Sequence, residues 1–157
     1  MNNNRYILVI ADDSPEMEIA LEYACARSKK TSRKIIIATF IEPLDVLTTQ
    51  GVTEIMKNEA RDEAEKLLQR AASYVKDKTG EIPALAVREG ETILELKKLI
   101  EEEENINVLV LAANSDPKNK DSNAIINSLV SQEITNMRAP VMIVPGNFSK
   151  DHIALIT

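Results

Sequence analysis

Five short apolar runs punctuate the chain: Tyr6 to Ile10, Lys34 to Ile41, Ala84 to Val87, Val108 to Leu111 and Val141 to Val144. Several are near-continuous rather than alternating, which is the pattern of strands buried on both faces of a parallel sheet. Helical spacing fills the intervals. Asp12, Asp13 and Ser14 offer capping side chains, with Pro15 for the first turn and Glu16 beside the positive end of the helix dipole; Met17, Ala20, Leu21 and Ala24 then recur at helical spacing. A longer helix is predicted over about 53–79, with Ile55, Met56, Ala60, Ala64, Leu67, Leu68, Ala71 and Val75 as its inner stripe and Gly80 as its stop. A third starts at Thr92, whose spacing to Glu95 is that of a capping box, and turns Ile93, Leu96, Leu99 and Ile100 inward. Its end, Glu101 to Glu104, opposes the dipole and is expected to fray. A fourth runs over about 123–136 with Ile125, Ile126, Leu129, Val130 and Ile134 as its apolar face.

Strand and helix therefore alternate from end to end. That order predicts right-handed crossovers and an open, doubly wound, five-stranded parallel sheet with helices on both faces. Residues 1–146 form the predicted domain, and residues 147–157 a polar tail. Two connections exceed what the fold needs, Glu42 to Val52 and Asn114 to Ser122, and long loops in a compact domain are often functional.

Composition narrows the function classes. With 157 residues, 44% of them hydrophobic, the chain can bury one sizeable core and is too apolar for disorder. The formal charge of −6, with no Trp and few other aromatics, argues against nucleic acid as a partner. No run reaches the ~18 apolar residues that a membrane span needs. The opening Met1 to Arg5 leads straight into a strand without a leader-like core, so a cytoplasmic location is expected. A single cysteine, Cys25, excludes an internal disulfide and is expected to be a buried, inert thiol. The sole histidine, His152, lies in the tail, which leaves no basis for a histidine metal site or a Ser-His-Asp triad. The acidic pair after the first strand also suits a phosphorylatable receiver domain. That chemistry needs an aspartate and a lysine where this chain has Val87-Arg88 and Val144-Pro145, so the receiver reading fails.

A series of segments resembles the universal stress protein family in order along nearly the whole chain. Ile7 to Ser14 is similar to the family's first strand and Asp-Gly-Ser turn, and Ala20 to Ala24 to the helix after it. Thr39 to Pro43 is similar to the end of its second strand, Arg88-Glu89-Gly90 with Ile93-Leu94 to its glycine turn, and Val108 to Ala113 to its fourth strand. Ala139 to Val144, followed by Pro145-Gly146, resembles the last strand of the bacterial single-domain branch. The resemblance implies a Rossmann-like, adenine nucleotide alpha hydrolase-like fold and a role in surviving stress.

It also implies where ATP or another adenine nucleotide would sit. Asp12 matches the carboxylate that approaches the nucleotide, with Asp13 beside it, and Phe40 matches the apolar position on the adenine side. Helix capping explains Asp12 and Asp13, and core packing Phe40, equally well. The family's phosphate loop, Gly-x2-Gly-x9-Gly-Ser/Thr, maps its first glycine onto Ala112, with Ala113 and Asn114 following, and its second onto Ser115. The third falls near Asn127, with Ser128 at the hydroxyl position and a longer spacing. Backbone amides approach phosphates closely only where no side chain intervenes. All three glycines are replaced, and the chain's four glycines (Gly51, Gly80, Gly90 and Gly146) lie elsewhere. An anion site built on Lys118 and Lys120 competes with a solvated loop whose site has decayed.

Pro140 and Pro145 bracket Val141, Met142, Ile143 and Val144, which marks an edge strand. The resemblance implies a homodimer pairing through it. The expected protein is therefore a non-enzymatic, dimeric stress protein with a weak or vestigial nucleotide pocket. A nucleotide sensor or slow ATPase, and an adaptor for a protein partner acting through the 42–52 loop, are the alternatives.

Overall fold

The computed structural model describes residues 5–43, 50–116, 118 and 123–157. Five parallel strands form its sheet: β1 (Tyr6–Ile10), β2 (Lys34–Ile41), β3 (Ala84–Glu89), β4 (Ile106–Ala113) and β5 (Val141–Pro145), in spatial order β3-β2-β1-β4-β5. The helices are α1 (Met17–Thr31), α2 (Gln50–Thr79), α3 (Thr92–Glu102), α4 (Ala124–Ser128) and α5 (Lys150–Ile156). Parallel neighbours cannot be joined by a hairpin, so every connection crosses a face of the sheet.

The alternation of β1 sorts the core. Ile7 and Val9 face one layer with Leu21 and Ala24 of α1 and Leu68, Ala71 and Val75 of α2. Leu8 and Ile10 face the other, with Leu96, Leu99 and Ile100 of α3 and Leu129 just past α4. Each fully buried Leu or Ile contributes about 1.5–3 kcal/mol relative to exposure, so both faces of β1 are pinned and its register cannot slip.

Several local expectations are corrected. Asp12, Asp13 and Ser14 do not cap α1: Glu16 holds the N-cap position without a side-chain bond, and Asp12 Oδ1 instead accepts from Ser14 N (3.1 Å) and Ser14 Oγ (2.5 Å) in a local turn. At α3 the cap is Glu91, whose carboxylate accepts from the amides of Ile93 and Leu94, while Thr92 turns its hydroxyl to Glu42 Oε1 (2.9 Å). The expected Thr92–Glu95 capping box is therefore absent. Nor does the acidic end of α3 lack partners. The Arg138 guanidinium donates to the carbonyl of Ile100, which the last turn leaves orphaned, and to those of Glu103 (2.8 Å) and Glu104 (3.2 Å) just beyond it.

Gln50, Gly51 and Val52 begin α2 rather than ending a loop; residues 44–49 of that loop lie outside the described set. Ile55 is exposed rather than part of the inner stripe. Beyond α4 the chain widens into one π turn (Leu129–Glu133) and tightens into a 3-10 turn (Ile134–Asn136), which leaves Val130 and Ile134 on the outside. The stretch read as a polar tail carries α5. Its Ser149 caps the helix, Ile153 is buried, and Lys150 meets Glu18 of α1 at 3.0 Å.

Candidate functional site

The strand order places the topological switch between β1 and β4, and such sheets hold ligands outside the carboxyl ends of strands at that point. Two spaces open there. A cleft of about 450 Å³ lies over β1 and β2 and under α2, floored by Phe40, Ile41 and Leu67 and flanked by Asp12, Asp13 and Thr92. A crevice of only about 30 Å³ lies between β1 and β4, lined by Asp12, Glu16, Ala112, Ile125 and Ile126. A space that small holds about one water molecule.

Local forces fix the cleft. Ala60 and Ala64, one turn apart on the underside of α2, leave room above β2, and Leu67 closes the back. Buried Thr39 ties β2 to β1 by donating its hydroxyl to Ala11 O (2.9 Å), and Ala11 N donates to Ala38 O (2.8 Å). Just beyond, Asp13 takes φ +53°, a left-handed conformation that costs an ordinary side chain about 1–2 kcal/mol and that Asp tolerates better than most. The resembled Asp-Gly-Ser turn has its glycine at this position. Arg70 of α2 reaches across the mouth, with Nη2 3.8 Å from Asp13 Oδ1.

On the other side of the switch, the chain after β4 is bound up with itself. Asn114 N donates to Asn123 Oδ1 (2.8 Å), and Asn123 Nδ2 returns a bond to Asn114 O (3.1 Å). Asp116 N donates to Asn114 Oδ1 (2.7 Å) and Lys118 N to Asp116 Oδ1 (3.0 Å). Side-chain oxygens thus occupy amides of the kind a phosphate would need. Glu16, buried at 7% exposure, sets its carboxylate 3.4 Å from Asn114 Nδ2. Behind it Gly146 donates to Ala113 O (2.8 Å), and a Cβ on Gly146 would stand 2.3 Å from that oxygen.

The sequence-predicted residues therefore separate. Asp12, Asp13 and Phe40 line the cleft, and Ala112 joins Asp12 at the crevice. Ala113, Asn114, Ser115, Asn127 and Ser128 line neither space; Ser115 and Asn127 face solvent. Lys120 lies outside the described residues. Of the edge strand, Met142 and Ile143 are exposed while Val144 is buried. Glu16, Thr39, Asn123 and Arg70 were missed. Arg70 carried a faint signal, since it follows Ala60, Ala64 and Leu67 at helical spacing on an otherwise apolar stripe.

The strongest pKa shifts lie away from the cleft. Burial first, then the charge of Glu22, pushes the Cys25 thiol up to about 12, as expected of an inert sulfhydryl. Burial and the hydrogen bond to Glu22 hold the Tyr74 hydroxyl well above the usual phenol range. No three acidic, histidine or cysteine side chains among the described residues are grouped to hold a metal ion.

A doubly wound parallel sheet with its opening at the carboxyl edge is an α/β domain of the Rossmann-like kind. The model of the Universal stress protein family matches residues 3–145, and the chain belongs to that family. Among solved structures it is similar to a universal stress protein family member from Burkholderia pseudomallei, with TM-score 0.69 and 17% identity over 92% of this chain and 98% of that one. A universal stress protein in complex with cAMP gives TM-score 0.61 and 18% identity over 92% and 98%. One from Archaeoglobus fulgidus in complex with dAMP gives 0.58 and 15% over 89% and 97%. At such identities the likeness is one of fold. The search of curated proteins found no match.

Proposed function

We propose that this chain is a non-enzymatic stress-response domain that works as a homodimer and keeps a weak or vestigial adenine-nucleotide pocket. The observation that carries the reading is the state of the loop after β4. The amides of Asn114, Asp116 and Lys118 are engaged by side-chain oxygens of Asn123, Asn114 and Asp116. A triphosphate would have to break those bonds beside the buried carboxylate of Glu16, whose charge repels it.

The base side is different in kind, lined by Phe40, whose ring packs half-buried against the Leu96 layer, and by the carboxylate of Asp12 at the strand end. Two relatives of the same fold were solved with cAMP and dAMP, adenine nucleotides with a single phosphorus, which ask less of a phosphate loop than ATP does. Calorimetric titration with magnesium and ATP tests the reading. No saturation is expected at micromolar ligand; saturation there would overturn it.

The homodimer would form through β5. That strand ends the sheet, and Met142 (42% exposed) and Ile143 (36%) leave apolar surface beside its unpaired backbone. Val130 and Ile134 add exposed apolar groups from the segment leading to it. A twofold axis would pair the strand with its own copy. Sedimentation at micromolar protein is expected to give a dimer. Among the described residues no helix is long and apolar enough to cross a membrane, which is consistent with the cytoplasmic location proposed here.

A further inference from the structure

We infer that Arg70 anchors the anionic group of the ligand in the larger cleft, and that this ligand is a nucleoside monophosphate whose phosphate lies on the α2 side. The inference rests on the adenine-pocket reading and adds where the phosphate goes. The crevice between β1 and β4 is reduced to about 30 Å³, and the amides of Asn114, Asp116 and Lys118 are engaged by side-chain oxygens. A base seated in the larger cleft beside Phe40 can instead direct its phosphate along that cleft toward α2.

Among the described residues that line the cleft, Arg70 is the one cation. Among the described residues it pairs with Asp13, 3.8 Å away, and both side chains are mostly exposed (66% and 85%). Exposed pairs of that length contribute little, so a phosphate displaces Asp13 at small cost. A guanidinium can then give a phosphate two parallel N–H bonds, which an ammonium cannot do with the same geometry.

The same walls set an upper limit on charge. Asp12, Asp13, Glu42 and Glu63 also line the cleft. Asp12 is partly occupied by Ser14 and Glu42 by Thr92. One guanidinium among four carboxylates suits a single phosphate and opposes a chain of three.

The test compares adenosine, AMP and ATP on the wild-type chain and on Arg70→Gln, by calorimetry or by NMR titration at low and high salt. AMP is expected to bind about tenfold tighter than adenosine, ATP no tighter than AMP, and the AMP advantage is expected to shrink as salt rises. Arg70→Gln should bring AMP to the level of adenosine and leave adenosine itself, and the melting temperature, unchanged; Arg70→Lys should recover part of the difference. If AMP gains nothing over adenosine, or Arg70→Gln keeps the advantage or weakens adenosine equally, the assignment of Arg70 is overturned and the pocket reading survives. If neither compound binds at millimolar concentration, the pocket reading falls and the assignment goes with it.

Discussion

The two sides of the switch between β1 and β4 start from the same architecture and end differently. Toward β2, two alanines on α2 fill little of the space above the strand and leave about 450 Å³. Toward β4, Ile125, Ile126 and Glu16 fill the corresponding space down to about 30 Å³. The fold alone supplies strand ends and a place to bind, but side-chain volume and amide occupancy decide which side is open. A binding site is thus not inherited with a topology.

The largest expected effect comes from the closed side. Gly146→Ala would push a methyl group to 2.3 Å from the backbone oxygen of Ala113 and 2.9 Å from Glu16 Cβ. Backbone cannot yield as a flexible side chain does, so a loss of about 1–3 kcal/mol is expected in urea unfolding. A change within error would mean that the crevice is loosely packed and that the contrast between the two sides is weak.

A second variant asks which force closes the crevice. Replacing Ala112, Ser115 and Asn127 by glycine removes the steric obstacle alone and is expected to leave ATP binding unchanged within about twofold. Adding Asn123→Gly and Glu16→Gln frees the Asn114 amide and removes the charge, and is expected to tighten ATP about tenfold. Should the three glycines suffice, bulk rather than hydrogen bonding and charge would be the cause. Equilibrium dialysis with labelled ATP distinguishes the two.

The smallest effect lies at the open side. Asp13→Gly relieves a left-handed residue worth about 1 kcal/mol but adds chain entropy worth about 0.5–1 kcal/mol. Stability is therefore expected to move by less than about 0.5 kcal/mol. A fall beyond that range in chemical denaturation would show that the Asp13 side chain contributes more than its loose contact with Arg70 suggests.

Much of the fold was legible because long-range burial writes itself into local pattern. Tyr6 to Ile10 and Lys34 to Ile41 are continuous apolar runs, and they became β1 and β2 with the predicted bounds. Helix ends were less legible. Several oxygens compete for the first amides, and Glu91 won over Thr92, while Asp12 turned to Ser14. The base side of the candidate site could be found from Asp12 and Phe40. Its neighbours were harder to find, since Arg70 lies 57 residues from Asp13 in the chain and its place on a helical stripe does not signal their approach across the mouth. Nor does the loss of three glycines reveal that Asn123 takes up the amide of Asn114 nine residues away.

One side chain bears on how this domain breathes. Arg138, two residues before Pro140, grips three carbonyls at the end of α3, and Pro140 O in turn accepts from Leu109 N at 2.9 Å. The approach to the outermost strand is thereby tied to a helix terminus more than thirty residues upstream. Amide exchange at β5 and at the last turn of α3 should proceed as one cooperative opening, so that the rim proposed to meet a second subunit is stiffened from behind before any subunit arrives.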